Sequence, residues 1–276
     1  NAKNFFLQTK KELPILTRVN LLNAWGLLEI EQENYTRADS FFHEVVKFAQ
    51  KKNLNQYQIN SAHIHLGESS LENNKLNRAI YYFEKVEKKL NADTIFYPEI
   101  YVRLLIQKGR YHLFLNQFEK ARENFKRASI LIRNHLFSHS QLLLQVEVNQ
   151  ANIEEYMGDF EKSDSLLTAL LNNYKNLPLY HPKIVIIYNS IGNISVNTGN
   201  FNKALLNYKK AIENVQIDSK IRLFLSISNQ LGNTLWDLGK LTDAEKRFTE
   251  NVTLAEEQIG KQSEQYIVAV ASLAVF

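Results

Sequence analysis

The sequence contains no cysteine, and its 276 residues include only four prolines, nine glycines and one methionine. The absence of cysteine excludes disulfides, thiolate metal sites and a cysteine nucleophile within these residues. So few prolines and glycines favour long helices over a fold with many turns. No run of 18 or more apolar residues and no basic-then-apolar leader occurs, so we expect a soluble, cytoplasmic protein without a membrane partner.

An excess of charge of one sign is also missing. The net charge is +4 at pH 7, which is small for this length. Lys and Glu are mixed along the chain rather than gathered in blocks, which is typical of a solvated helical surface. We therefore expect no nucleic-acid partner. Hydrophobic residues make up 45% of the chain, which is enough to bury a long core.

Small residues recur with a period of about 41 residues. They are Gly26, Gly67, Gly109, Ala151, Gly192, Gly232 and Ala274. Twelve residues after each of the first six comes a second small residue, and four residues later a large one. These are Ala38, Ala79, Ala121, Ser163, Ala204 and Ala244, followed by Phe42, Phe83, Phe125, Leu167, Tyr208 and Phe248. A small residue in the first helix lets the second approach within the roughly 8–10 Å typical of packed helices. Each copy is therefore predicted to be a helical hairpin that needs neighbours to bury its apolar sides.

This combination of small residues and following aromatics resembles the tetratricopeptide repeat over essentially the whole chain. The period exceeds the usual value of about 34 residues, and the proline expected near the end of each unit is missing. Each second helix is therefore predicted to be longer. Such long units are similar to those of kinesin light chains and to the arrays ahead of CHAT-type caspase-like proteases and in bacterial sensor proteins. The resemblance implies an all-α superhelix, a solenoid of about six and a half units whose first helices line a concave groove.

The pattern predicts a single solenoid over residues 1–276. Its units are predicted at 14–52, 56–91, 97–134, 139–176, 182–216 and 219–260, with a partial seventh unit at 263–276. Residues 1–12 are predicted to be the tail of an earlier helix. The seventh unit is apolar and no second helix covers it, so we expect a fragment of a longer protein, or self-association through the helix at 263–276.

The sequence offers little for catalysis. It contains no Gly-rich phosphate loop, no H-E-x-x-H and no G-x-S-x-G. His63 and His65 are two residues apart on a predicted helix, so they point to different sides and cannot share a metal. Adjacent carboxylates such as Glu154 and Glu155 are interpreted as solvated. We expect no enzymatic activity, no metal site and no cofactor within this segment.

Polar residues recur where the resemblance places the groove. Six asparagines lie near the small residue in three successive units. Three of them directly follow it, and the other three lie two or three positions before it: Asn149, Asn152, Asn189, Asn193, Asn229 and Asn233. An Asn amide carries donors and an acceptor in one plane, which matches the main chain of an extended peptide. Arg103 and Arg110 are predicted to bind a carboxylate, and Tyr156 and Trp236 to form apolar pockets. Asn in such a groove is similar to peptide-holding residues of kinesin light chains and bacterial peptide-pheromone receptors.

The function predicted from the sequence is that of a scaffold that binds a protein or an extended peptide in the concave groove. An alternative is a regulatory or sensing region of a larger enzyme, such as a CHAT-type protease or a sensor kinase, whose catalytic domain lies outside this segment. A structural role for the asparagines also stays open at this stage, because an Asn in a first helix can bond to the neighbouring unit.

Overall fold

The computed structural model describes residues 13–90, 98–135, 140–174, 182–215 and 217–276, and these residues form helices joined by short turns. The thirteen helices of the described residues are α1 (Ile15–Glu31), α2 (Tyr35–Lys51), α3 (Gln56–Glu72), α4 (Leu76–Leu90), α5 (Pro98–Phe114), α6 (Phe118–His135), α7 (Ser140–Tyr156), α8 (Phe160–Tyr174), α9 (Pro182–Asn197), α10 (Phe201–Glu213), α11 (Ile217–Asp237), α12 (Leu241–Ile259) and α13 (Glu264–Val275). No described residue lies in a β-strand. The predicted all-α helical-repeat class is confirmed.

Consecutive helices pair into hairpins, and each hairpin closes through the same turn. In all six described hairpin turns, one residue after the first helix has a positive φ: Glu33, Asn74, Asn116, Gly158, Gly199 and Gly239. The N–H of the following residue then bonds to a carbonyl five residues back, as from Lys75 to Ser70 at 2.7 Å and from Asn200 to Ser195 at 2.7 Å. This left-handed helix end satisfies carbonyls that would otherwise lack a partner.

The glycines of the first helices allow an aromatic ring to lie directly on the helix backbone. A Cβ added to Gly26, Gly67, Gly109, Gly192 or Gly232 would lie only 2.2–2.6 Å from a ring atom of the large residue sixteen positions later. Any side chain at these five positions would therefore overlap the ring.

The fourth hairpin uses a different pair of sizes. Ala151 has a methyl group where the other first helices have none, and its partner is Leu167 rather than an aromatic residue. Both are fully buried. The Ser163 hydroxyl donates to the carbonyl of Ala151 at 2.7 Å, which ties the two helices together. Ala151, which is larger than glycine, is thus matched by Leu167, which is smaller than the aromatic residues of the other hairpins.

Packing divides the chain into two compact units, Asn1–Val146 and Glu147–Phe276, and the boundary falls within α7. In the first unit, one core cluster joins α3, α4 and α5 around Phe83 and Leu104. In the second, a cluster joins α9 to α13 around Tyr208 and Phe248. The prediction of a single solenoid over residues 1–276 stays a prediction.

The helix ends agree with the sequence-based limits to within three residues. The predicted helical tail at 1–12 lies outside the described residues. No helix in the described ranges is both long and apolar enough to span a membrane.

Buried histidines occupy the interior of the first unit rather than a metal site. His63 is 5% exposed, and its ring stacks on Tyr82 at a centroid distance of 5.9 Å. Burial, followed by the charges of Lys85 and His43, lowers the pKa of His63 from 6.5 to about 4. The neutral imidazole is therefore the form that the fold accommodates.

We predict that Gly67→Ala destabilises the protein by about 1–3 kcal/mol, because the added methyl overlaps the Phe83 ring. In an exposed helix the same change would stabilise the protein by about 0.5–1 kcal/mol. The sign of the change in unfolding free energy therefore distinguishes overlap with the ring from an open position. Urea unfolding followed by circular dichroism measures it. In a Phe83→Leu background, which reproduces the Ala151 and Leu167 pair, most of the penalty should vanish. An equal penalty in both backgrounds would contradict size matching.

We also predict that stability falls as the pH drops from about 6.5 to about 4. Above this window His63 is neutral in both states, whereas within it only the unfolded chain binds a proton, which favours unfolding. The variant His63→Leu should reduce this pH dependence. Leu is the residue that the first and third units have at this repeat position, as Leu22 and Leu105. Unfolding midpoints at pH 7 and pH 5 test it. An unchanged pH slope in the variant would show that His63 does not cause the loss.

Candidate functional site

The six predicted asparagines all lie in the second compact unit, on α7, α9 and α11. We name them the asparagine face: Asn149, Asn152, Asn189, Asn193, Asn229 and Asn233. Within each helix they are three or four residues apart, so they share one side of that helix. The glycines beside them, Gly192 and Gly232, are buried against rings of the second helices, which fixes the side of each helix that is left for the asparagines.

Two asparagines of this face have an acceptor that no described residue uses. The Oδ1 atoms of Asn189 and Asn229 are buried and have no hydrogen-bond partner within the part of the chain that the structure describes. Both residues lie three positions before the small residue of their helix. At the same repeat position the second, third and fourth units have Ile64, Ile106 and Val148, and the first has Asn23, whose Oδ1 is also buried without a partner among the described residues. An apolar residue thus satisfies the fold at this position, and the amide is an addition to it.

Asn193 has a different environment, because it bonds to the core. The Tyr208 hydroxyl donates to the Asn193 Oδ1 at 2.8 Å, and the Tyr208 ring is almost fully buried. Burial, followed by the charge of Glu155, raises the pKa of Tyr208. Asn193 therefore satisfies a buried phenol as well as lying on the asparagine face.

The remaining asparagines are more accessible. Asn233 is exposed, and Asn149 and Asn152 are half-buried. Side chains of these three make no hydrogen bond to another described residue, so their donors and acceptors are open to a ligand or to water.

The two predicted aromatic side chains are exposed at the ends of their helices. Tyr156 is 59% exposed and Trp236 is 38% exposed. The ring of Trp236 meets Phe276 edge-on, with centroids 5.8 Å apart. Trp236 is therefore contacted on one side by the residue that follows α13. Partial burial of Tyr156, followed by the charge of Glu155, raises the pKa of Tyr156.

Glu155 is a residue of this region that the sequence interpretation missed. It is half-buried rather than solvated, and its Oε1 accepts a hydrogen bond from the Asn197 amide nitrogen at 2.8 Å. Burial raises the pKa of Glu155, and the bond from Asn197 lowers it less. Its neighbour Glu154 is buried and forms an ion pair with Lys162 at 3.0 Å. The interpretation of both carboxylates as solvated was wrong.

The two arginines predicted to bind a carboxylate already bind carboxylates of the chain, in the first compact unit. Arg103 donates twice to Glu99, at 3.1 and 3.0 Å. Arg110 donates to Glu72 and lies 3.6 Å from Glu68. Both guanidinium groups thus have ion-pair partners within the chain, Arg103 on its own helix and Arg110 on α3. The prediction that they bind a ligand carboxylate stays a prediction.

The electrostatics of Glu68 agree with its pairing to Arg110. Burial alone would raise the pKa of Glu68, but the hydrogen bond from His65 and the charges of His65 and Arg110 outweigh burial. The pKa of Glu68 consequently lies below its ordinary value. The carboxylate is charged at neutral pH and compensates Arg110.

Other sites are sparse in the described part of the chain. No group of three or more His, Cys, Asp or Glu residues that could hold a metal occurs there. A cavity of about 370 Å³ opens between α11 and α12. It is lined by Phe224, Arg247, Thr249, Glu250, Asn251, Thr253, Leu254 and Glu257. None of the predicted site residues lines it.

The predicted self-association surface is the last helix. On α13, Ile267 is 60% exposed and Val275 is 71% exposed, while Ala269 is buried against the preceding helices. Apolar side chains are thus displayed on the outer side of α13. Self-association through this helix stays a prediction.

Comparison with known proteins agrees with the repeat geometry. The family model of the tetratricopeptide repeat matches residues 102–133 and 185–214, which fall in the third and fifth hairpins. No match was found among curated protein sequences.

Three solved structures show how widely the fold is shared. NprR in complex with its cognate peptide NprX aligns with a TM-score of 0.67 at 12% identity, covering 98% of this chain and 78% of that one. BtubC (BKLC) from P. vanneervenii aligns with a TM-score of 0.62 at 12% identity, covering 83% and 94%.

The third is a signal-transduction ATPase with numerous domains (STAND) and a tetratricopeptide repeat sensor, from Pyrococcus horikoshii. It aligns with a TM-score of 0.66 at 17% identity, covering 94% of this chain and 38% of that one. At these identities the likeness concerns the fold. Together with the repeat-family matches and the hairpin geometry, it identifies the chain as a tetratricopeptide-type helical-repeat protein.

Proposed function

We propose that the asparagine face binds an extended peptide or an extended segment of another protein. The observation that carries the proposal is the pair of buried Oδ1 atoms of Asn189 and Asn229, which have no partner among the described residues. A buried acceptor without a donor costs about 1–3 kcal/mol. Both residues are only half-buried, so rotation of each amide would present its oxygen to a ligand that donates a hydrogen bond and would remove that cost.

A peptide main chain supplies donors of the required kind. Its N–H groups recur regularly, and they can reach acceptors on neighbouring helices without any dependence on the peptide side chains. The amides of Asn149, Asn152 and Asn233 add both donors and acceptors. Recognition would thus be tolerant of sequence in its main-chain part, while Tyr156 and Trp236 supply apolar contacts for side chains of the ligand.

The structural neighbours support this proposal at the level of the fold. NprR, which is similar to nearly the whole chain, is seen in complex with a cognate peptide. The same overall arrangement of helices is therefore compatible with peptide binding.

A sensing role within a larger protein is the second candidate. It is supported by the STAND protein, whose tetratricopeptide repeats are described as a sensor and of which the chain covers 38%. The same asparagine face would then bind the signal. Sequencing the coding region that follows Phe276 tests this candidate: a protease, kinase or ATPase domain in frame supports it, and a stop codon within one helix length contradicts it.

We predict that Asn189→Val combined with Asn229→Val weakens peptide binding more than tenfold, since each lost hydrogen bond is worth about 1 kcal/mol. The free energy of unfolding should stay the same or rise, because the change removes two unsatisfied oxygens. The ligand is selected on wild-type protein from a phage-displayed library of random 12-residue peptides. Its affinity is then measured by isothermal titration calorimetry.

The control is Asn173→Val on α8, an exposed asparagine outside the asparagine face. It introduces the same side chain into a helix and should leave binding unchanged. A fall in stability without a fall in peptide affinity for the double variant would mean that Asn189 and Asn229 hold neighbouring helices instead of a ligand.

We predict that Asn193→Ala alone lowers stability by about 1–3 kcal/mol, because it leaves the buried Tyr208 hydroxyl without its acceptor. In a Tyr208→Phe background, which restores the residue type of the other hairpins, the same change should cost less than about 0.5 kcal/mol. Chemical unfolding of the four proteins gives the coupling energy. A coupling near zero would show that the hydroxyl does not depend on Asn193.

A further inference from the structure

A buried amide lies in the wall of the cavity between α11 and α12. Asn251 is 2% exposed, and it is one of the residues that line this cavity of about 370 Å³. Its Oδ1 accepts a hydrogen bond from the Ser228 hydroxyl at 2.7 Å. Its Nδ2 is buried and has no hydrogen-bond partner within the part of the chain that the structure describes. The amide thus has a donor left for a molecule in the cavity.

An amide is unusual at this repeat position. Asn251 lies seven residues after the small residue Ala244 of its helix. The five preceding hairpins have buried apolar residues at the same place: Val45, Val86, Ala128, Leu170 and Ala211. Ser228 likewise has the position that Leu occupies in the first and third hairpins. Packing of the core therefore requires neither polar group.

Asn251 also differs from other asparagines on second helices. The Nδ2 atoms of Asn124, Asn207 and Asn214 each donate to the carbonyl four residues earlier in their own helix, at 2.7–2.8 Å. The Asn251 amide instead bonds to Ser228 on α11. Its nitrogen consequently does not use the backbone acceptor that these three asparagines use. A buried donor without an acceptor is destabilising, and a ligand that accepts from it would remove the penalty.

The rest of the cavity wall combines apolar surface with paired charge. Phe224 and Leu254 supply the apolar surface, and both belong to or pack against the core cluster of the second unit, which holds them in place. Arg247 lies 3.4 Å from Glu250, so its charge already has a partner, and Glu257 adds a second acid to the wall. A ligand carboxylate would approach these two acids. A neutral carbonyl group would not be repelled by them.

We propose that this cavity binds a small neutral molecule with a carbonyl group on an apolar ring or chain, and that the carbonyl oxygen accepts a hydrogen bond from the Asn251 amide nitrogen. The volume of about 370 Å³ lies near the lower end of the range of roughly 300–1,000 Å³ typical of ligand sites. Because Asn251 borders the cavity, a small rotation of its amide presents the nitrogen to the ligand. The apolar part of the ligand contacts Phe224 and Leu254.

This site is separate from the surface proposed to bind a peptide. None of the six residues of the asparagine face lines the cavity. The inference therefore adds a second binding site to the protein, with a different class of ligand.

The test uses two matched pairs of probes, acetophenone with α-methylstyrene and cyclohexyl methyl ketone with isopropenylcyclohexane. In each pair a methylene group replaces the carbonyl oxygen and leaves the shape nearly the same. Titrations followed by heteronuclear NMR give the affinities and locate the bound probe. Both ketones should shift backbone signals of α12 and the side-chain amide signal of Asn251.

The variant Ser228→Ala/Asn251→Val removes the donor and its hydroxyl partner together, so neither is left unpaired. Val is the residue that the first two hairpins have at this position. The preference for each ketone over its alkene should be about fivefold greater in wild type than in the variant, as expected for one hydrogen bond of ordinary strength. Asn251→Ala, with the residue of the third and fifth hairpins, should show the same loss without narrowing the cavity.

The matched control is Asn207→Val on α10, which removes a buried amide that bonds to its own helix. It should keep the wild-type preference for ketones. An equal preference in wild type and in both Asn251 variants would overturn the inference, and so would probes that leave the signals of α12 unshifted. Neither result bears on the asparagine face, whose binding is measured with peptides.

Discussion

The contact of an aromatic ring with the bare backbone of a glycine is the constraint on which the described structure depends. In five hairpins the ring lies where a Cβ would be only 2.2–2.6 Å away. The ring therefore fixes which side of the first helix faces the second, and with it the rotation of every other side chain on that helix. Positions three before and one after the glycine are four residues apart and share a side of the helix. Because the rotation is fixed, that side has the same place relative to the second helix in each of these hairpins.

Because the contact between the two helices is set by the small residue and the ring, polar groups can be placed on the rest of the first helix. The position three before the small residue is apolar in the second, third and fourth hairpins and Asn in the first, fifth and sixth. The core cluster of the second unit is otherwise built from residues such as Leu225, Leu231 and Phe248. The buried, unsatisfied amide oxygens of Asn189 and Asn229 are thus a local cost, whereas the stability of the hairpins comes from the contact between their two helices.

Much of the fold could be predicted because it depends on local spacing. The hairpin turns could be located from Gly or Asn at the position with positive φ. Glu33 is an exception, because it adopts a φ of 60° although it is neither Gly nor Asn. The site was less predictable. The bond from Arg103 to Glu99 follows from a four-residue spacing, but the acids on α3 that reach Arg110 are 38 and 42 residues away. Glu155 and Asn197 are separated by 42 residues, about one repeat, so a search at the repeat period would have found them.

Tyr208 gives the fifth hairpin a property that the phenylalanine-containing hairpins lack. Its ring occupies the same seam against Gly192, while its hydroxyl reaches Asn193 at 2.8 Å. A guest that competes for the Asn193 oxygen would alter the hydrogen bonding of a chromophore inside the seam. Occupancy of the proposed binding surface would thus be felt at a buried side chain, because one hydrogen bond joins Asn193 to the interior of the fifth hairpin.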